Sequence, residues 1–254
     1  MFRLVTEELT AVEDTHAATQ SSRSNGRRIL CIGHRGAAGH APENTVAAIR
    51  EGISLGADYV EVDVQRSRDG RLVVMHDATV NRTTNGKGEV CDMTWDELQL
   101  LDAGGGERVP SVEAVLAEAN GHAGVMLEVK ALGIGPDLYR AVQAAGFSGP
   151  VIYASFLHAE ILAIRAIDPL ARTLALMVCV PLAGAGFARD ANATMVGLDH
   201  DFPTAQSIAT LHDAGLEVWL YTVNEPALIQ RAIDFGADGI ISDYPERVPK
   251  TRLI

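Results

Sequence analysis

The sequence predicts an α/β protein, a closed (β/α)8 barrel with a small hairpin-containing insertion after its second strand. Three observations carry the prediction. From Ile29 onward, short apolar runs alternate with polar or Gly-containing turns and amphipathic stretches, the signature of parallel βα units. The apolar runs number nine, one more than the eight strands that close such a barrel in about 250 residues. One of the nine is set apart by its spacing: only Gln65 to Arg71 lie between it and its predecessor, too few for a parallel crossover, and Asp69-Gly70 is a hairpin turn signal.

In chain order, the barrel strands are expected at 29–32, 59–64, 125–129, 151–154, 174–180, 195–198, 218–223 and 239–241, with the hairpin strand at 72–75. Helices are expected at 45–55, 111–119, 137–145, 158–167, 205–214 and 226–235, while Gly and Ala blur the helix expected over 181–193. Weak internal similarity supports the count: Gly56 to Asp63 (GADYVEVD) echoes Gly236 to Asp243 (GADGIISD). In both, a helix stops at Gly and a strand follows that carries an acid at its C-terminal end.

The chain has 254 residues, 47% of them hydrophobic, which excludes disorder as the main state and allows a core without disulfide staples. Residues 29–254 are expected to form a single domain with the insertion over about 64–110, and 1–28 a flexible N-terminal extension. A net charge of −12 argues against nucleic acid and anionic membranes as partners, since both are bound through Lys and Arg. Nothing approaches the roughly 20 apolar residues of an integral membrane segment, and the N-terminus lacks the apolar run of a signal peptide. Cys31, Cys91 and Cys179 read as free thiols of a cytoplasmic protein, with Cys31 a small buried strand residue. Oligomeric state is left open.

The chemistry collects at strand ends. Alternation puts Glu61 and Asp63 on one face of the second strand, and Glu128 with Lys130 at the end of the next barrel strand. Three carboxylates thus converge on the barrel mouth, where sites in this architecture sit, and an all-oxygen cluster suits Mg²⁺ or Ca²⁺. A hairpin centred near Asp69-Gly70 sets Asp63 opposite Met75, which returns His76 to the cluster, and His34 follows the first strand directly. Two imidazoles beside one cation fit phosphoryl transfer with a separate general acid and general base. Arg35 offers a planar fork for phosphate oxygens and Lys130 a point charge.

Taken singly, Glu61 or Asp63 reads as a strand-end ion pair and His76-Asp77 as a turn; the joint pattern favours a site. Only 3 of the 21 basic residues are Lys, so Lys130 between apolar runs is poorly explained as surface decoration. His16, His122 and His212 read as surface residues, His40, His158 and His200 stay ambiguous, and Arg66-Ser67-Arg68 reads as a solvated hairpin tip.

His34-Arg35-Gly36, Pro42-Glu43-Asn44-Thr45, Glu61-Val62-Asp63-Val64, Val73-Val74-Met75-His76-Asp77, Asn81-Arg82-Thr83-Thr84 and Leu127-Glu128-Val129-Lys130 resemble, in order and spacing, the glycerophosphodiester phosphodiesterases. The likeness continues through Tyr153-Ala154-Ser155-Phe156, Tyr221-Thr222-Val223-Asn224 and 236–243, and spans residues 29–245. It implies a TIM-barrel enzyme that hydrolyses a glycerophosphodiester, such as glycerophosphocholine or glycerophosphoethanolamine, to an alcohol and sn-glycerol 3-phosphate. By resemblance, His34 and His76 are the acid/base pair, Glu61, Asp63 and Glu128 the ligands of a divalent cation, Arg35 and Lys130 the phosphate contacts, and Glu43 and Asn44 hold the first loop. No catalytic position of the pattern is missing.

Three other readings stay open on the residues alone. A lysophospholipase D would need an apolar lip on the insertion, which the polar run 81–89 does not supply. A barrel kept only for anion binding is opposed by the intact histidines and acids. A metal-dependent lyase with Lys130 as base fits less well than phosphoryl transfer because of the two histidines.

Overall fold

In a computed structural model, which describes residues 28–182 and 184–250, the strands are β1 (Leu30–Gly33), β2 (Tyr59–Arg66), β3 (Leu72–Val74), β4 (Gly124–Val129), β5 (Val151–Ser155), β6 (Arg172–Met177), β7 (Met195–Asp199), β8 (Glu217–Tyr221) and β9 (Gly239–Ser242). All but β3 are parallel, and β1 pairs with both β9 and β2, which closes the sheet into an eight-stranded barrel. Around it run α1 (Val46–Ser54), α2 (Trp95–Gln99), α3 (Val112–Ala119), α4 (Gly135–Ala145), α5 (His158–Ile167), α6 (Gly186–Asp190), α7 (Ala205–Asp213) and α8 (Pro226–Asp234).

Local chemistry sets these bounds. Thr45, Ser111 and Thr204 are extended N-caps whose hydroxyls accept from the first turns of α1, α3 and α7, which satisfies a donor that the helix itself leaves free. Strand alternation divides the apolar residues between two cores. Val60, Val62 and Val64 face α1 and α3, whereas Ile32, Tyr59, Met126, Ile152, Leu174 and Trp219 fill the barrel. At the N-terminal end Arg172 donates to the Tyr59 hydroxyl at 2.8 Å and pairs with Glu217 at 3.4 Å, a polar cluster that plugs the interior there.

β3 runs antiparallel to β2 with Val64 opposite Val74 and Arg66 opposite Leu72. The Met75 amide then donates to the Asp63 carbonyl at 2.9 Å, so the strand that carries the carboxylates also fixes where His76 enters. The chain from there to Pro110 packs a satellite core of Val73, Met75, Val80, Val90, Leu98, Ala103 and Val109. Its helix α2, which the sequence reading does not anticipate, is announced by a Thr94–Glu97 capping box.

One expectation lies outside the described residues and several others need correction. The N-terminal extension lies outside the described residues except for Arg28, which pairs with Asp58. β6 stops at Met177, three residues short of the expected end, because the chain turns out over the mouth, where Val178 is exposed. Ser67, expected at a solvated tip, is buried; its hydroxyl donates to Asp69 and accepts from the Arg71 amide. His212 is no free surface residue, for its Nε2 lies 2.9 Å from Asp238.

Candidate active site

The loop after β1 is forced into shape by its glycines. Gly36 has φ +89°, and a Cβ there would lie 2.4 Å from the Ala48 carbonyl carbon, so the loop can press against α1 only without a side chain. Arg35 is itself left-handed at φ +51°, a conformation that costs a non-glycine residue about 1 kcal/mol. Its amide donates to Glu61 Oε2 at 2.8 Å, and its guanidinium reaches Glu43 Oε1 at 2.6 Å. Asn44 brackets Asp63, donating to Oδ2 at 2.8 Å and accepting from the Asp63 amide at 3.2 Å.

Glu61, Asp63 and Glu128 each place a carboxylate oxygen within 4.8 Å of the others'. Burial first, then the charges of Asp63 and Glu128, push the Glu61 carboxyl well above the usual carboxylate range. Glu128 is pushed up to about 7 by burial and Asp63, although Lys130 opposes the shift. Lys130 Nζ stands 2.8 Å from Glu128 and 3.4 Å from Asp63. Burial works against its charge, but Glu128 and Asp63 outweigh it and raise the ammonium pKa. Arg35 Nε, 3.5 Å from Asp63, is buried without a hydrogen-bond partner. Three carboxyl groups therefore face two cationic side chains, and with all three ionised the cluster carries one negative charge in excess. That oxygen-only donor set is what a hard divalent cation requires.

Each mouth histidine is held by an aspartate. His34 Nδ1 lies 2.7 Å from Asp243 Oδ1, and His76 Nδ1 2.7 Å from Asp77 Oδ1. Burial raises the Asp243 carboxyl, but the His34 hydrogen bond and charge and the Asn224 amide more than reverse this and hold it below the usual range. Asp77 is held well below it by Arg82 and His76. An ionised carboxylate only accepts, so Nδ1 carries the proton in both rings and Nε2 is the atom left for exchange. Arg82 grips Asp77 and Glu43 together, and Glu43 in turn grips Arg35, so His76 is tied to the β1 loop through four charged side chains.

His34, Glu61 and Glu128 line one pocket with Met126, Ala154, Phe156, Leu176, Tyr221 and Ile241. His76 is not among those lining residues. The family model for the glycerophosphoryl diester phosphodiesterase family matches residues 34–247. The chain belongs to that family. A glycerophosphodiester phosphodiesterase of Caldanaerobacter subterraneus is 34% identical over 233 residues, covering 86% of this chain and 96% of the relative. One of Bacillus subtilis is 29% identical, covering 95% and 92%. Among solved structures, a phosphodiesterase of Oleispira antarctica in complex with the product sn-glycerol-3-phosphate superposes with a TM-score of 0.82 at 26% identity, over 87% of this chain and 95% of that one. A glycerophosphodiester phosphodiesterase of Agrobacterium tumefaciens gives 0.75 at 31%, over 87% and 98%.

The chain is thus a TIM-barrel enzyme of the glycerophosphodiester phosphodiesterase class. The sequence reading missed Asp243, Asn224 and Arg82 as parts of the site. For Asp243 a signal existed: it directly follows β9 as Asp63 nears the end of β2, in the repeated Gly-Ala-Asp segments. Arg82 and Asn224 stand in matched motif segments, but no role was assigned to them there; Arg82 meets Asp77 and Glu43, which lie 5 and 39 residues away. Among the described residues, no helix is long and apolar enough to cross a membrane.

Proposed function

We propose that the enzyme hydrolyses small glycerophosphodiesters, of which glycerophosphocholine and glycerophosphoethanolamine are examples, to an alcohol and sn-glycerol 3-phosphate. In this reading His34 and His76 are the acid/base pair, Glu61, Asp63 and Glu128 hold Mg²⁺ or Ca²⁺, and Arg35 and Lys130 contact the phosphate. The observation that carries it is the pair of histidines, each fixed at Nδ1 by an ionised aspartate, flanking a three-carboxylate cluster. A bound divalent cation supplies charge neutralisation of the phosphoryl oxygens and a lowered pKa for a bound hydroxyl or water. With all three carboxylates ionised around it, the cation would leave the cluster and its two basic neighbours one positive charge in excess, which suits an anionic diester.

The chain's own residues do the rest. Lys130 and Arg35 bind and orient the phosphate, the latter with its spare buried Nε donor. One histidine takes the nucleophile's proton at Nε2 and the other delivers a proton to the leaving alkoxide. Two exposed thiols, Cys91 and Cys179, support a reducing, cytoplasmic location. The test is turnover of glycerophosphocholine with and without chelator, beside His34→Ala and His76→Ala. Loss of about 10²-fold or more in each arm is expected; full activity in either variant rejects the assignment.

A further inference from the structure

Glu160 is a buried carboxylate that the chemistry described above leaves unused. It stands in the first turn of α5 and is 5% exposed, and among the described residues no Lys, Arg or His pairs with it. Its two oxygens accept instead from the main chain of the neighbouring βα unit, Oε1 from the Gly133 amide at 2.7 Å and Oε2 from the Gly135 amide at 2.8 Å. A carboxylate taken out of water without a cation is costly unless donors meet it. Gly135 opens α4, whose own N-cap residue, Ile134, makes no side-chain cap, so Glu160 caps that helix from outside.

Capping accounts for one oxygen only. Gly133 lies before the helix, in the segment that joins Lys130 to α4. Residues 131–133 make one hydrogen bond among the described residues, the one from the Gly133 amide to Glu160. On the other side of Lys130 the chain is tied twice: the Lys130 amide donates to the Val64 carbonyl at 3.0 Å, and the Ser155 hydroxyl donates to the Val129 carbonyl at 2.7 Å. The pairing of β4 with β5 ends at Glu128 and Ala154, so that hydroxyl continues the tie where the ladder stops. It also accepts from the Leu157 amide at 2.9 Å, which fixes the turn at Phe156. Lys130 is thus held from behind by β2 and Ser155 and from ahead by Glu160. The segment 155–160 that supplies both side chains also carries Phe156, whose ring centroid lies 6.0 Å from Lys130 Nζ.

We propose that Glu160 is a positioning residue for Lys130: by gripping the loop beyond it, the buried carboxylate sets where the ammonium group meets the phosphate. The proposal rests on the phosphodiesterase reading, in which Lys130 contacts the phosphate. An ammonium group on a flexible four-carbon stem depends on a fixed backbone for its place, and a misplacement of about 1 Å can cost about 10²-fold in rate. Glu160→Gln keeps the size of the side chain, but its amide nitrogen cannot accept, so one of the two main-chain donors loses its partner.

The test titrates sn-glycerol 3-phosphate calorimetrically in the presence of Mg²⁺ and measures kcat/KM for glycerophosphocholine in the parent, Glu160→Gln, Lys130→Met and the double variant. In the parent background Glu160→Gln should weaken binding and lower kcat/KM by about three- to tenfold each, with a fall in Tm. In the Lys130→Met background it should change binding and kcat/KM by less than about twofold while the fall in Tm persists, because only the effect exerted through Lys130 has been removed. Should Glu160→Gln not fold, Gly133→Ala serves. Its methyl meets no atom within 4 Å, but the φ of +75° disfavours any side chain, so the amide turns away from Glu160. The same dependence on Lys130 is expected. Equal losses in both backgrounds would make Glu160 a support of the fold alone and overturn the proposal, as would unchanged binding and turnover in the single variant. Failure of the phosphodiesterase reading looks different: the parent neither binds the product nor cleaves the diester, or Lys130→Met leaves both unchanged, and the proposal falls with it.

Discussion

The imidazole of His34 shares its Nδ1 proton with Asp243 Oδ1 across 2.7 Å, and Asp243 is clamped from behind by Asn224, which donates to Oδ2 at 2.6 Å and accepts from the Asp243 amide at 2.9 Å. The residue that the chain places first in its site is thus oriented by the last strand. Asp243→Asn keeps the shape and loses the ionised acceptor, so the ring is free to present the wrong tautomer. A fall in kcat of about 10- to 1000-fold with KM nearly unchanged is expected. Steady-state kinetics check this, and in a His34→Ala background the same substitution should add almost nothing.

Arg82 is the corresponding tie for His76. It bridges Asp77 and Glu43 at 2.7 to 3.0 Å, but nearly half of its side chain is exposed, so its contribution to stability is about 1 kcal/mol or less. Arg82→Ala should therefore lower kcat by about three- to tenfold through loss of positioning, with little change in the unfolding midpoint. A large drop in Tm with unchanged kcat would mean that the bridge serves the insertion alone.

How far the sequence led depends on the distance over which each signal acts. Strand alternation and the Asp69-Gly70 turn act within a few residues. They place Glu61 and Asp63 on one face and set Asp63 opposite Met75 before any tertiary structure is known. The barrel count follows from the same local periods. Thr94-x-x-Glu97 is equally local, yet the short helix α2 that it caps was passed over. Asp243 became a partner of His34 only because β9 closes onto β1, a pairing between residues about 200 positions apart that no local period encodes.

The carboxylate cluster should make cation binding and stability depend on pH together. A carboxyl raised in the folded state stays protonated there after the unfolded chain has lost its proton, so the folded state binds more protons across that window. For Glu128 the window runs from about 4.5 to about 7, and stability contributed by its protonation is lost as pH rises through it; Glu61 acts in the same direction. A cation competes with those protons and removes the penalty. The Tm gain produced by Mg²⁺ or Ca²⁺ should therefore grow from pH 5 to pH 7, and Glu128→Gln should blunt the growth. Thermal melts with and without cation at each pH measure it, and a gain independent of pH would contradict the assignment.

The interior packing yields a prediction that separates fold from chemistry. Trp219 is fully buried in the barrel and lies against Gly239 on the neighbouring strand, where a Cβ would stand 2.8 Å from Cδ2 of the indole and 3.0 Å from Cγ and Cε2. The indole is also in edge-on contact with Tyr59 at 5.8 Å, and that ring is tied through its hydroxyl to Arg172, so the indole has little room to retreat. A methyl added at Gly239 must shift a rigid ring in a close-packed layer, at a cost of about 1–3 kcal/mol. Gly239→Ala is expected to lower Tm, by about 2–4 °C per kcal/mol for a chain of this size. Because the clash lies at the plugged end, kcat well below the new Tm should match the parent enzyme. Gly239→Ala paired with Trp219→Phe should recover part of the lost stability, and the absence of recovery would show that the strain is not between these two residues.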